Sequence, residues 1–349
     1  MIYGATGYTG RLIAGKAVQQ GLAPVLAGRG EAVRELAQSL GLQARVFDLK
    51  DARTGIDGVK LVLHCAGPFS ATARPMIEAC LAAGAHYLDI TGEIEVFEYA
   101  HGQHEAARGR KVVVCPGVGF DVVPTDCLAA ALKEALPDAT SLALGFDSRS
   151  PLSPGTTKTM LEGLPQGGKV RRDGRIVSVP LGYRTRRIDF GFGEKFAVTI
   201  PWGDVATAHY STGIPNVECY IPLSPSRARR LKWLNWVRPF LGTGFVQGYL
   251  KGKVERSVHG PDEAQRAKLS TAVWGEVRNA AGQVRTGRVQ TANGYALTVD
   301  AALAVTREVL ERPPAEGGYR TPSQLCGWRI VETLPGSGRV EIRSPVLRS

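Results

Sequence analysis

No run of about 20 uninterrupted apolar residues occurs in this 349-residue chain, so no membrane-spanning helix is expected. Cysteine is sparse: Cys65, Cys80, Cys115, Cys127, Cys219 and Cys326 stand singly, with no CxxC pair. That excludes a disulfide framework and a zinc ribbon, and it suits reduced thiols in a cytoplasmic protein. His101 and His104 lie one helical turn apart, but no third ligand is in sequence reach, so surface histidines are expected and no metal. Aromatic residues make up 7%, and no nucleic-acid-binding signature accompanies them. Internal repeats and low-complexity tracts are missing. Acidic residues are missing from one long stretch, Cys219 to Val254.

What is present describes a globular protein, 44% apolar and 21% charged, long enough for two domains. The net charge of +11 attracts anions without choosing among phosphorylated cofactors, acidic lipids, acyl carriers or nucleic acid. Glycines stand at 4, 7 and 10 in Gly4-Ala5-Thr6-Gly7-Tyr8-Thr9-Gly10. Glycine there lets the backbone turn tightly and approach a pyrophosphate, while the amides opening the next helix point at its charge. Ile2 and Tyr3 can end a strand, and Arg11–Gln20 reads as a helix, which supplies the context a bare glycine pattern lacks. A cleaved leader is not expected, because its removal would delete this turn.

Residues 1 to about 90 alternate strand and helix. Strands are predicted at Pro24–Ala27, Ala44–Phe47, Leu61–Cys65 and His86–Asp89, with helices at Arg11–Gln20, Glu31–Leu40 and Arg74–Ala83. Short apolar β-rich runs between amphipathic segments indicate an α/β fold, a doubly wound parallel sheet covered on both faces. A helix at Glu95–Arg108, a strand at Val112–Cys115 and a helix at Thr125–Ala135 extend it. From about Leu142 the pattern changes to a mostly antiparallel α+β domain. It has a hairpin at Asp173-Gly174 and alternating stretches at Phe196–Ile200, Val217–Ile221, Thr271–Arg278 and Val284–Thr291. Ala296–Leu310 has helical spacing. The expected division is 1–140 for nucleotide binding, 141–315 for substrate and dimerisation, and 316–349 as a segment returning to the first domain.

In open α/β sheets, ligands bind beyond the carboxyl ends of the strands, so three loops are expected to converge. Ala66-Gly67-Pro68-Phe69 offers close backbone approach to the nicotinamide half of a dinucleotide. In Tyr87-Leu88-Asp89-Ile90-Thr91-Gly92-Glu93, the acids Asp89 and Glu93 are either helix caps or chemical groups. Pro116 to Asp126 contains Asp121, the acid hardest to read as structural, and Phe120. With no Tyr-xxx-Lys pair on a helix after the fourth or fifth strand, the usual tyrosine proton donor of short-chain reductases is missing. The only match, Tyr249 and Lys253, sits beside Gly248 and Gly252 with no supporting strand. Asp121, Tyr87 and Glu93 are therefore the candidate proton donors, and Thr91, Gly92, Phe120 and Trp202 the candidate substrate contacts.

Arg29 follows the second strand where an acid would bind the ribose 2′-hydroxyl of NAD. Its planar fork of donors suits a 2′-phosphate, which predicts NADP(H). Asp48, ending the third strand, is placed near the adenine. Gly4, Thr6, Gly7, Tyr8, Thr9, Gly10 and Ala66–Phe69 complete the predicted cofactor site. In the second domain Trp202 either floors a pocket or packs at an edge. Gly155–Met160 opens a helix, where an anion or a cap would sit. The acid-free stretch interleaves Arg227, Arg229, Arg230, Lys232, Arg238, Lys251 and Lys253 with Trp233, Trp236, Val237, Phe240 and Leu241. Residues 227–250 read as a basic amphipathic helix that contacts a membrane peripherally, joins a homodimer interface, covers a substrate, or packs on the core with a solvated basic side.

GATGYTG, LAGR, CAGPF, HYLDITGE and PGVGFDVVPTD together resemble the saccharopine dehydrogenase-like oxidoreductases, nearest the bacterial trans-acting enoyl reductase branch. GTTKTMLEGL, IPWGDVATAHYSTGIPNVECY and GGYRTPSQLCG extend the resemblance through the second half. It implies a Rossmann-type domain, an inserted α+β domain and a nicotinamide cofactor. Two departures stand out: the first strand is short, and Val122 follows the aspartate where serine is more usual. The resulting expectation is an NADP(H)-dependent oxidoreductase acting on an apolar acyl or lipid substrate, such as an enoyl reductase. An amino-acid dehydrogenase acting on a secondary amine, with Arg184, Arg186 and Arg187 as its carboxylate pocket, is the second reading. A non-catalytic NADP sensor or lipid-binding protein is the third.

Overall fold

A computed structural model describes residues 1–148, 154–257 and 269–344. The chain divides into two compact units, Met1–Val123 with Tyr295–Leu334, and Pro124–Gly294 with Pro335–Ser349.

The first unit is built on β1 (Ile2–Tyr3), β2 (Leu26–Gly28), β3 (Ala44–Val46), β4 (Leu61–His64), β5 (His86–Asp89) and β6 (Val113–Cys115). With a late strand at Gly318–Tyr319, they form a seven-stranded, all-parallel sheet. Its order, read from the late strand, is that strand, β6, β5, β4, β1, β2, β3, the doubly wound Rossmann arrangement. Burial of β2, β4 and β6 along their whole length is what helices on both faces require. The first helix, Tyr8–Gln19, buries Gly10, Ile13, Ala14 and Ala17, a stripe at helical spacing. The helix Phe69–Ala83 stops at Gly84, whose φ of 71° gives a left-handed C-cap. The helix Gly294–Glu311 adds Val299, Ala302, Leu303, Val305 and Val309 to the same core as Ile2, Leu26, Leu63 and Leu88.

The second unit carries a mixed sheet of β7 (Ala139–Ser148), β8 (Gly168–Arg172), β9 (Arg175–Val179), β10 (Thr185–Asp189), β11 (Glu194–Ile200), β12 (Asn216–Pro222), β13 (Ser270–Asn279) and β14 (Val284–Ala292). In chain order the late strand of the first sheet is β15 (Gly318–Tyr319), and β16 (Glu341–Arg343) closes this second sheet beside β14. Its pairings are antiparallel except β7 with β12. The hairpin at Asp173-Gly174 joins β8 to β9 with both residues at positive φ, 46° and 76°, as a two-residue type I′ turn demands.

Three boundaries differ from the sequence reading. The first unit ends at Val123, not near 140, because the helix Val123–Ala135 packs on the second sheet. A Cβ at Gly275 of β13 would lie 2.7 Å from Leu132, and one at Gly287 of β14 2.8 Å from Leu128. The helix Gly294–Glu311 joins the first unit, since its apolar face completes that core. The tail divides: β15 pairs with β6, whereas β16 pairs with β14. The single helix predicted at Glu95–Arg108 is two, Ile94–Gly102 and His104–Gly109, broken after Gly102, where glycine weakens a helix. The side chains of Thr156, Lys158 and Thr159, read as an anion or capping site, lie outside the described residues.

Among the described residues none of the six cysteines forms a disulfide, and no His, Cys, Asp and Glu grouping could hold a metal ion. His101 and His104 stack with ring centroids 6.4 Å apart, and His104 Nδ1 accepts from the Tyr319 amide at 3.2 Å. None of the described helices is long and apolar enough to cross a membrane.

Candidate active site

The glycine turn is shaped by close packing. Gly4 has φ of +82°, and its amide donates to Ala27 O at 2.8 Å, tying the turn to β2. A Cβ on Gly4 would lie 2.6 Å from the Ala66 amide, and one on Gly10 2.3 Å from the Gly4 carbonyl. The two glycines therefore let strand, helix and the Ala66 loop come together. Gly7 is exposed and starts the helix Tyr8–Gln19 with no side-chain cap, so its first amides have no intrahelical acceptor. Arg11 Nε donates to Thr6 O at 2.9 Å, bracing the turn and placing a cation beside it. The Tyr8 ring meets Tyr295 edge-on at 5.2 Å. An uncapped helix start, backbone bared by glycine and a nearby cation fit a dinucleotide pyrophosphate.

Arg29 is exposed directly after β2. Its charge and that of Asp48 act on the Tyr3 phenol in opposite senses, which places both at one rim of the sheet. Burial raises the Tyr3 pKa most, and the hydroxyl donates to Phe47 O at 3.3 Å. The Asp48 carboxylate accepts from the Lys50 amide at 3.3 Å and caps the short turn Leu49–Asp51. The structure thus gives Asp48 a local structural task, and leaves Arg29 presented to solvent.

The loop Ala66–Phe69, with a cis Gly67–Pro68 bond, is held from two sides. From below, Thr72 Oγ1 donates to Ala66 O at 2.6 Å and lies 3.0 Å from Pro68 O. His64 Nε2 lies 3.0 Å from the same hydroxyl; with the Thr72 proton on Ala66 O, the ring is the donor and Nδ1 carries the lone pair. His64 is fully buried among Tyr3, Phe69 and Tyr87, its Nδ1 has no hydrogen-bond partner, and burial lowers its pKa to about 3. From the side, the two Glu93 oxygens accept from the amides of Phe69 at 3.0 Å and Ser70 at 2.7 Å. A carboxylate on the first turn of a helix satisfies orphan amides and complements the helix dipole.

Asp89 ends β5 with no exposed surface. Its Oδ2 accepts from the Tyr87 hydroxyl at 2.7 Å, and its Oδ1 from the amides of Thr91 at 2.9 Å and Gly117 at 2.8 Å. One carboxylate therefore joins the loop after β5 to the loop after β6. Burial raises its pKa to about 6 against the lowering effect of those three donors. Asp121 lies beyond, on the second of these loops. A Cβ on Gly92 would sit 2.6 Å from Asp121 Oδ2, so only glycine leaves that carboxyl its place. Burial and the negative charge of Glu93 push the Asp121 pKa up to about 7, although the residue keeps some contact with solvent. Thr298 Oγ1 accepts from the Phe120 amide at 3.0 Å and fixes the turn before it.

The first unit thus gathers Gly4–Gly10, Arg29, Asp48, Ala66–Phe69, Thr91, Gly92, Phe120 and Asp121 at the carboxyl ends of its strands. Two expectations need correction. Tyr87 is wholly buried and its hydroxyl donates to Asp89, which suits orienting that acid and not donating a proton to substrate. Glu93 is the anchor of the helix Phe69–Ala83, the structural role left open for it. Thr91 is buried too; its hydroxyl accepts from the Glu93 amide at 3.1 Å. Trp202 belongs to the second unit, where its ring packs 4.7 Å from Phe146. Of the three arginines read as a carboxylate pocket, Arg184 and Arg186 are paired, with Glu218 at 2.6 Å and Glu276 at 3.0 Å, whereas Arg187 is exposed. His64 and Thr72 were not anticipated. The available signal was a histidine closing the otherwise apolar run Leu61–Leu63.

Residues 1–114 match the family model of the saccharopine dehydrogenase NADP binding domain, so this part of the chain is an NADP-binding domain of that type. The chain is 27% identical over 151 residues to a mouse saccharopine dehydrogenase-like oxidoreductase, covering 36% of this chain and 35% of the relative. It is 28% identical over 209 residues to a trans-acting enoyl reductase of Mycobacterium tuberculosis, covering 54% of this chain and 49% of the relative. The matches span about a third to a half of those relatives. Among solved structures, the saccharopine dehydrogenase (L-Glu forming) of Saccharomyces cerevisiae superposes with a TM-score of 0.69 at 11% identity, over 98% of this chain and 99% of that one. That likeness concerns the fold.

Proposed function

We propose that this protein is an NADP(H)-dependent oxidoreductase that reduces an unsaturated, apolar acyl substrate, with Asp121 as the proton donor. The observation that carries the reading is the placement of Asp121. Its carboxyl lies against Gly92, beside the Glu93 that anchors the loop Ala66–Phe69, and burial pushes its pKa up to about 7. In the bound state the nicotinamide supplies a hydride. The glycine turn and the first amides of the helix Tyr8–Gln19 would hold the pyrophosphate, and Arg29 the 2′-phosphate. Ala66–Phe69, fixed by Thr72 and Glu93, would border the nicotinamide. Asp121 holds a proton and releases it as negative charge develops on the substrate, and Asp89 fixes the loop that carries it.

Similarity to trans-acting enoyl reductases supports an enoyl thioester over other acceptors. The paired state of Arg184 and Arg186 supports it over an amino acid. NADPH oxidation is to be measured with a panel of enoyl thioesters of increasing chain length, alongside secondary-amine and keto-acid acceptors. Turnover with the enoyl compounds that is lost in Asp121→Asn is the expected result. Bound NADPH with no turnover on any acceptor identifies a sensor instead.

A further inference from the structure

The second unit carries two consecutive helices, Pro225–Leu241 and Gly244–Ser257, whose outer faces are unlike the rest of the protein. Five of the nine large apolar side chains exposed among the described residues lie on them: Trp233, Trp236, Phe240, Phe245 and Tyr249. Trp236 is 82% exposed and Phe245 87%, extents that a folded protein seldom tolerates in a cluster. The spacing of Trp233, Trp236 and Phe240 puts them on one side of the first helix. The opposite side is the docked one. There Ala228 is buried, and Asn235 both accepts from the Leu181 amide at 2.8 Å and donates to the Leu181 carbonyl at 3.2 Å. The second helix is held similarly, through Gln247 Nε2 donating to Leu161 O at 3.1 Å and Leu241 O at 2.8 Å. Asn235 and Gln247 thus tie the two helices down, while the aromatics are presented outward.

Charge decides what the aromatics face. Arg227, Arg229, Arg230, Lys232 and Lys253 are exposed around them, and no acidic residue occurs from Cys219 to Val254. A second copy of this chain meeting the surface across a two-fold axis would bring these cations together, which disfavours a homodimer through it. Tryptophan and phenylalanine flanked by lysine and arginine match the boundary between anionic headgroups and acyl chains, where the rings bury apolar surface and the cations remain among phosphates.

We infer that the outer face of residues 225–253 docks the protein on the surface of an anionic phospholipid bilayer. Docking is peripheral, and it is independent of the reaction proposed above. The test is sedimentation of the full chain with vesicles of phosphatidylcholine alone and of phosphatidylcholine mixed equally with phosphatidylglycerol. Binding is expected to the mixed vesicles only, weakening as salt rises. The triple variant Arg229→Glu, Arg230→Glu, Lys232→Glu should lose about a hundredfold in partitioning, and Trp233→Ser with Trp236→Ser about tenfold. An unchanged circular dichroism spectrum and thermal unfolding curve check that each variant is folded. Equal binding to neutral vesicles, or none to either kind, overturns the inference. Loss of dimer mass in the aromatic variant without vesicle binding makes the face a homodimer interface, and salt-sensitive binding to an acidic protein or oligonucleotide but not to vesicles assigns it to that partner. Both of these outcomes also overturn the inference.

Discussion

The Asp121 carboxyl rests directly on Gly92: a Cβ at residue 92 would lie 2.6 Å from Oδ2 and 3.1 Å from Cγ. The glycine after Thr91 is thus a space reserved for an acid on another loop. Gly92→Ala keeps the acid but must displace it. The expected result is a kcat reduced by about tenfold or more with the Kd for NADPH unchanged, since the proposed cofactor contacts lie on other loops. Unaltered kcat in a folded Gly92→Ala variant would separate Asp121 from the chemistry.

As the proposed proton donor Asp121 would act in its protonated form, so its contribution would fall as pH rises through the pKa of about 7. The rate of the reductive direction should decline about tenfold per pH unit above that value. In Asp121→Asn the rate should fall about a hundredfold, and the alkaline limb assigned to Asp121 should disappear. A limb that persists in the variant belongs to another group.

The frame of the proposed cofactor site is legible in the sequence because its determinants are local. Gly4, Gly7, Gly10 and Arg29 fall within one strand–helix–strand unit, and the apolar runs around Leu26, Leu63 and Leu88 give the sheet. The acid network is not legible, because its meaning is tertiary. Asp89 looks like a helix cap until Gly117, 28 residues later, is found donating to it. Glu93 is a cap, but of the helix at Phe69 that precedes it, 24 residues back. The unit boundary fails for the same reason: Leu128 and Leu132 have the spacing of any amphipathic helix, and only the bare backbone at Gly275 and Gly287 shows which sheet receives them.

Arg29 gives the most direct test of cofactor choice. It is exposed and, among the described residues, has no ion-pair or hydrogen-bond partner in the protein, so its removal should leave the fold intact. Arg29→Ala should weaken NADPH binding by about 10- to 100-fold, the worth of a charge-assisted hydrogen-bonding fork, while NADH binding changes little. Titration of both cofactors by fluorescence reads the ratio directly. Equal losses for the two would mean that Arg29 does not contact the 2′-phosphate.

Asp89 and His64 set opposing pH dependences of stability, which only difference measurements separate. The folded pKa of Asp89, about 6, exceeds the ordinary aspartate value of about 3.9. Its contribution is therefore fully present below about pH 4 and is lost as pH rises through about 6. The folded pKa of His64, about 3, lies below the ordinary 6.5, so its contribution is present above about 6.5 and is lost as pH falls towards 3. Across pH 4–6 the two partly cancel, and the wild-type curve alone says little. Asp89→Asn keeps an acceptor for the Thr91 and Gly117 amides but cannot titrate. Urea unfolding should show the stability of wild type relative to Asp89→Asn decreasing by on the order of 3 kcal/mol from pH 4 to about 6, with no further change from this group well above 6. Asp89→Ala should be destabilised by roughly 3 kcal/mol or more at all pH values, because two buried amides and the Tyr87 hydroxyl lose their acceptor. For His64→Gln the difference from wild type should run the other way, wild type losing its relative stability on acidification. A difference curve for Asp89→Asn that is flat from pH 4 to 6 would show that Asp89 is not buried as a titrating acid, and the staple between the loops after β5 and β6 would have to be reassigned.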